Sequence, residues 1–171
     1  MMELRNKPGE YLDRVAERGE SFVIERNGQR KACLVPISVF LPDISPERVA
    51  FEFDSLEKAE EHPRPAIVED NRLAFRFVES VPDGGRVTIT IVLPHGYPSA
   101  CPVVFTDLAR ECTPHRWADG SLCLFGVMAV WNPGKHSVKS VLDLSRRWLS
   151  NYYEWRKSDR WPTERGGADE R

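Results

Sequence analysis

The sequence predicts an α+β fold: an antiparallel β-meander with a C-terminal helix packed on one face, plus a small N-terminal helix–hairpin module. Three observations predict it. Between residues 66 and 106, apolar residues recur with a period of two, the mark of half-buried antiparallel strands. Residues 137–157 carry apolar residues on one broad helical face. Near the N-terminus, Asn27-Gly28 separates two short apolar runs, as a tight hairpin turn would.

Residues 1–40 form the first unit. In "KPGEYLDRVAERGE", Tyr11, Leu12, Val15 and Ala16 make an amphipathic stripe, and Gly19 falls where a C-terminal cap is expected. Phe22-Val23-Ile24 reads as one strand and Ala32 to Val35 as its return. A piece this small buries too little to be stable alone, so it should pack on something or pair with a second copy. Residues 41–65 hold four prolines and a charged stretch. They read as a linker leading into a short helix near Ser55–His62, with Ser55 as N-cap.

From Ala66 the pattern turns to strands. Leu73, Phe75 and Phe77 alternate with Ala74 and Arg76, and Val87, Ile89 and Ile91 alternate with Thr88 and Thr90. A further strand is expected at Pro102–Thr106. One face of this meander needs a cover. The helix at about Ser137–Lys157 supplies it through Val138, Val141, Leu142, Trp148, Leu149, Tyr152 and Tyr153. The meander and helix make a domain over residues 66–161, and residues 162–171 are a polar tail.

The net charge of −2 gives no global basic field to suggest nucleic acid or an anionic membrane. No apolar run approaches the roughly 20 residues that span a bilayer, and the charged N-terminus has no apolar signal core, so a cytoplasmic location is expected. The four cysteines (Cys33, Cys101, Cys112, Cys123) lack framework spacing and should be free thiols there.

The densest chemistry lies in residues 107–136, a long irregular segment of the kind that is usually functional. It holds Cys112, His115, Asp119, Cys123, Trp131, Asn132 and His136. Three readings of Cys123 compete. Cys101, Cys112, His115 and Cys123 supply enough ligands for zinc, but lack the second close pair of most zinc sites. A cysteine between two leucines is commonly a small buried hydrophobe. A cysteine in a loop with a histidine and an aspartate is also placed to act as a nucleophile. Spacing alone leaves these open.

The ordered motifs resemble ubiquitin-conjugating enzymes, the thioester-carrying transferases of the UBC fold. "YPSACPVVFTD" is similar to the family's Tyr-Pro-x-x-Pro-Pro-x-Val-x-Phe element, with Cys101 in place of the first proline of the pair. "DGSLCLF" resembles the Gly-x-Ile-Cys-Leu stretch around the active cysteine, which puts Cys123 in that role. "WNP" at Trp131–Pro133 resembles the family's Trp-x-Pro, eight residues past the cysteine. The family's His-Pro-Asn is replaced by Pro114-His115-Arg116, with His115 at the asparagine's spacing.

Together with the aromatic tail Trp148, Tyr152, Tyr153, Trp155 and Trp161, these motifs resemble a bacterial branch more closely, the conjugating component of type II CBASS antiphage operons. That resemblance implies a cGAS/DncV-like nucleotidyltransferase, or a ubiquitin-like protein ending in glycine, as acyl donor and a target lysine as acceptor. Cys123 would carry the acyl group. His115 would polarise the carbonyl or accept the amine proton, and Asp119 would orient the lysine unless it serves only the Asp-Gly turn. Trp131 would pack the loop, His136 would be a solvated helix-start residue, and no metal or organic cofactor is implied.

Residues 4–40 resemble the N-terminal DNA-binding and dimerisation module of Phd/YefM antitoxins. That implies a possible homodimer, and Arg26, Arg30 and Lys31 would offer phosphate contacts to DNA. The competing reading of the whole chain is an inactive UBC-like adaptor or an antitoxin-derived DNA-binding repressor.

Overall fold

The structure is a computed structural model that describes residues 6–40, 44–109, 113–125 and 130–162. Helix α1 (Pro8–Arg18) begins with Pro8 in its first turn and ends on Gly19, whose φ of 68° is the left-handed conformation glycine adopts without a Cβ penalty. Strands β1 (Phe22–Arg26) and β2 (Gln29–Leu34) pair antiparallel about Asn27-Gly28. Tyr11 meets Phe22 edge to face, and Arg14 pairs with Glu20 while lying over the Phe22 ring. A short helix, α2 (Ile37–Phe40), follows.

Helix α3 spans Pro46–Lys58 and corrects the sequence expectation. It starts on Ser45, not Ser55, whose side chain accepts the Arg48 N–H, and Pro46 opens the first turn. Val49, Glu52 and Leu56 recur at i, i+3 and i+7 and are all buried, so residues expected to be linker form part of the core. Among the described residues, Pro46 opens this helix and Pro65 lies in the following edge strand.

The main sheet is antiparallel in the order β3 (Arg64–Val68), β4 (Arg72–Ser80), β5 (Arg86–Val92) and β6 (Val103–Thr106). The expected alternation holds. Leu73, Phe75, Phe77, Val87, Ile89, Ile91 and Val104 are buried in one hydrophobic cluster. Helix α4 (Val138–Ser158) covers this face with Val138, Val141, Leu142, Trp148, Leu149 and Tyr152. Ser137 caps it, and Ser140 completes a capping box by returning a bond to the Ser137 N–H. On the flank of α4, Arg146 ties together Glu61 at 2.5 Å and Glu79 at 2.8 Å. No helix among the described residues is long and apolar enough to cross a membrane.

Candidate active site

Cys123 lies where a small hairpin leaves the edge of the sheet. The Leu122 N–H donates to the Val104 carbonyl at 2.8 Å, docking the hairpin onto β6. Arg116 and Leu122 form an antiparallel bridge, and the Trp117 N–H donates to Ser121 O at 2.8 Å. Gly120, with φ of 88°, makes the reversal, and its N–H donates to Trp117 O. The Asp119 Oδ1 accepts from both the N–H and the hydroxyl of Ser121, an Asx turn that stiffens the tip.

His115 is the hinge of this arrangement. Its φ of 56° places it in the left-handed region, uncommon for a side-chain-bearing residue but several-fold enriched for histidine. That conformation aims its carbonyl inward, where it accepts the Cys123 N–H at 2.8 Å and the Trp148 Nε1–H at 2.9 Å. The backbone of His115 therefore joins Cys123 to α4. Its imidazole is exposed and lies 4.9 Å from the ring of Trp161, centroid to centroid. The sequence thus brings His115 and Cys123 together through the main chain, with the imidazole tilted against Trp161 of the aromatic tail.

Arg116 was not singled out by sequence, yet it braces the hairpin. Its guanidinium donates to Thr106 Oγ1 at 3.0 Å and lies 5.4 Å from the centre of the Trp148 ring. Beside it, Trp117 is 61% exposed.

The far flank of Cys123 is aromatic. The thiol of Cys123 is half-buried, and its sulfur lies 3.9 Å from the Phe125 carbonyl as a weak donor. Phe125 meets the Trp131 ring edge to face at 6.0 Å, and Trp131 lies 6.0 Å from Tyr97. Trp131 donates its indole N–H to Pro98 O at 2.7 Å, so the expected packing role holds. His136 is half-buried, not solvated. Its ring lies against Phe125 and Trp131, and its Nδ1 accepts the Asn132 N–H at 3.0 Å, which leaves the proton of the neutral ring on Nε2.

The zinc alternative finds no geometric support where it can be read. Cys112 lies outside the described residues, and among the described residues no three His, Cys, Asp or Glu side chains converge as metal ligands. Burial pushes the Cys101 thiol up to about 11, which disfavours a thiolate there.

Sequence reasoning also missed Arg48 and Glu52. Glu52 is fully buried and pairs with Arg48 at 2.7 Å. Tyr97 donates its hydroxyl to the same carboxylate, and burial, then that bond, push the phenol well above its usual range. The signal was legible: a glutamate at a core position of the Val49–Leu56 stripe, four residues after an arginine.

The family model described as "Type II CBASS E2 protein" matches residues 68–168, more than half of the chain. The chain belongs to the type II CBASS E2 proteins. For a CBASS E2 this means a UBC-like conjugating role in that defence system, alongside other CBASS proteins. Among solved structures, human ubiquitin-conjugating enzyme E2 G1 is similar at 19% identity and a TM-score of 0.45, covering 60% of this chain and 92% of that one. A complex of the Vps23 UEV with ubiquitin matches at 15% identity and a TM-score of 0.43, covering 64% and 86%. None of the curated proteins compared with this CBASS E2 matches it.

Proposed function

We propose that Cys123 carries a protein C-terminus as a thioester and passes it to an amine. The carboxyl group of the donor arrives as an activated thioester. The Cys123 thiolate attacks the carbonyl carbon, a new S–C bond forms, the old S–C bond breaks, and the thiolate of the protein that had carried the donor leaves. A lysine amine then attacks the same carbon. The tetrahedral intermediate collapses to an amide, the Cys123 thiolate leaves, and the amine proton passes to a base. The half-exposed cysteine on a braced hairpin is the observation that carries this reading: the nucleophile is held by its own backbone while its sulfur stays reachable.

His115 is the proposed proton acceptor or carbonyl-polarising group. Its main chain is fixed next to Cys123, and its imidazole is exposed on the same turn, tilted against Trp161. Asp119, exposed at the hairpin tip, draws the lysine ammonium by charge while also shaping its turn. In a cytoplasmic CBASS setting, the donor is a cGAS/DncV-like nucleotidyltransferase or a ubiquitin-like protein ending in glycine. Conjugation would prime that nucleotidyltransferase. No cofactor takes part in the transfer.

The direct test is co-expression with neighbouring operon proteins and intact mass without reductant. A large adduct lost on adding dithiothreitol, and absent in Cys123→Ala, is the expected result. Absence of any adduct, with Cys123 still reactive to a small alkylator, would favour the adaptor reading.

A second role is proposed for the antitoxin-like segment of residues 4–40. Leu12 and Val23 stay exposed on its helix and hairpin, and this favours a dimerising or packing add-on. Light scattering measures the dimer. If the segment binds DNA through Arg26, Arg30 and Lys31, binding to the operon promoter should weaken with salt and survive Cys123→Ala.

A further inference from the structure

We infer that Arg48 and Glu52 on α3 are positioning residues for transfer at Cys123, holding the loop of residues 130–137 against the flank of the nucleophile. The inference rests on Cys123 being the transfer nucleophile. Both residues lie outside the segment that the family model matches.

A carboxylate without solvent exposure persists only when its oxygens are satisfied. In Glu52, Oε1 accepts the Tyr97 hydroxyl and lies 2.7 Å from Arg48 Nε as an ion pair. Oε2 receives the Val138 N–H at 2.7 Å, in the first turn of α4, where unpaired N–H groups favour negative charge. A well-packed hydrophobe would often stabilise such a site as well as an ion pair does. What the pair adds is direction. With its charge paired to Glu52, Arg48 turns its two terminal nitrogens outward as a fork. Nη1 donates to Pro133 O at 3.0 Å, and Nη2 donates to His136 O at 3.0 Å and to the Tyr97 hydroxyl at 2.9 Å.

Those two carbonyls belong to the loop whose Trp131 and His136 rings reach Phe125, the neighbour of the cysteine. Trp131 and His136 lie against each other, and both lie against Phe125. Phe125 is two residues beyond Cys123, and its carbonyl lies 3.9 Å from the sulfur. The contacts are therefore continuous from α3 to the thiol: fork, loop carbonyls, paired rings, Phe125, Cys123. Loosening the fork should leave the thiol more accessible and, at the same time, hold the acyl group less well for attack.

The opposite signs of those two effects make the test. The full chain is prepared with Cys33→Ser, Cys101→Ser and Cys112→Ser, so that Cys123 is its one thiol. Arg48→Lys keeps the charge beside Glu52 but has no fork. Tyr97→Phe removes one hydroxyl and serves if Arg48→Lys does not fold. Each is assayed well below its own melting temperature. Alkylation of Cys123 by iodoacetamide should rise about two- to fivefold as the flank opens. Discharge of a preformed Cys123 thioester to lysine should fall about tenfold for Arg48→Lys, since an ångström of misplacement costs up to about a hundredfold. Tyr97→Phe should move both rates in the same directions by less.

A purely structural role would lower the melting temperature and leave both rates at the parent value, which would overturn the inference. So would faster alkylation with unchanged discharge. If the parent protein forms no thioester, the transfer reading fails by itself. The alkylation rate then still decides whether the fork governs access to the thiol.

Discussion

The helix–hairpin segment and the sheet-and-helix domain use the same kinds of element but bury themselves very differently. In the segment, Val15 is the buried residue of α1, and neither strand of the hairpin has a buried position. Its shape comes from neighbours in sequence: the Tyr11–Phe22 contact, the Arg14–Glu20 pair and the Asn27-Gly28 turn. In the domain, alternate residues of β4 and β5 reach a single cluster closed by α4. The difference teaches that local contacts can specify a shape, whereas stability needs burial between elements distant in sequence.

The largest test of this contrast is a pair of truncations. Leu142 is fully buried under the sheet, and Leu142→Ala should cost about 2–5 kcal/mol in urea unfolding. Leu12 is exposed, and Leu12→Ala should stay within about 0.5 kcal/mol. An equal loss from both would mean that the segment is part of one cooperative core, and the contrast would fall.

Acid sharpens it further. The bond to Arg146 holds the Glu61 carboxyl below the usual range, against some burial that raises it. A carboxyl depressed in the folded state adds stability above its unfolded pKa of about 4.3 and loses it as pH falls through the folded value. Stability should therefore drop as pH falls below the ordinary carboxylate range, and Arg146→Ala should lose part of that drop. Partial exposure limits this to about 1 kcal/mol. The bond to Arg14 depresses Glu20 in the same direction, but this half-buried pair joins neighbours within the segment and lies outside the main core. Arg14→Ala should leave the pH dependence of global unfolding unchanged. Urea titrations at neutral and acidic pH compare the two.

Legibility in the sequence followed the same divide. Strands β4 to β6, helix α4 with its Ser137 cap, and the hairpin were readable because period and turn chemistry are local signals. The motif around Cys123 was readable as a resemblance. Helix α3 was misplaced because its prolines sit at its first turn and beyond its end, where they punctuate rather than break. His136 was misjudged because its burial depends on Phe125 and Trp131, which the fold brings to it. The fork of Arg48 joins residues far apart in the chain, and no spacing announces such a contact.

The smallest expected effect compares two tight turns, Asn27-Gly28 in the segment and Asp119-Gly120 beside Cys123. The first only reverses a hairpin, whereas the second also stands at the proposed lysine approach. Asparagine can keep the bonds that Asp119 Oδ1 accepts from Ser121, so Asp119→Asn should preserve the turn and remove the charge. Its melting temperature should match the parent. Lysine discharge should slow by about two- to fivefold, the reach of one exposed charge, with the loss appearing as weaker lysine saturation. Added salt should slow the parent and narrow its gap to Asp119→Asn. Asp119→Ala should lose the turn bonds as well, lowering stability by about 1 kcal/mol. If Asp119→Asn discharges at the parent rate while Asp119→Ala does not, the carboxylate serves the turn alone and the lysine is guided from elsewhere.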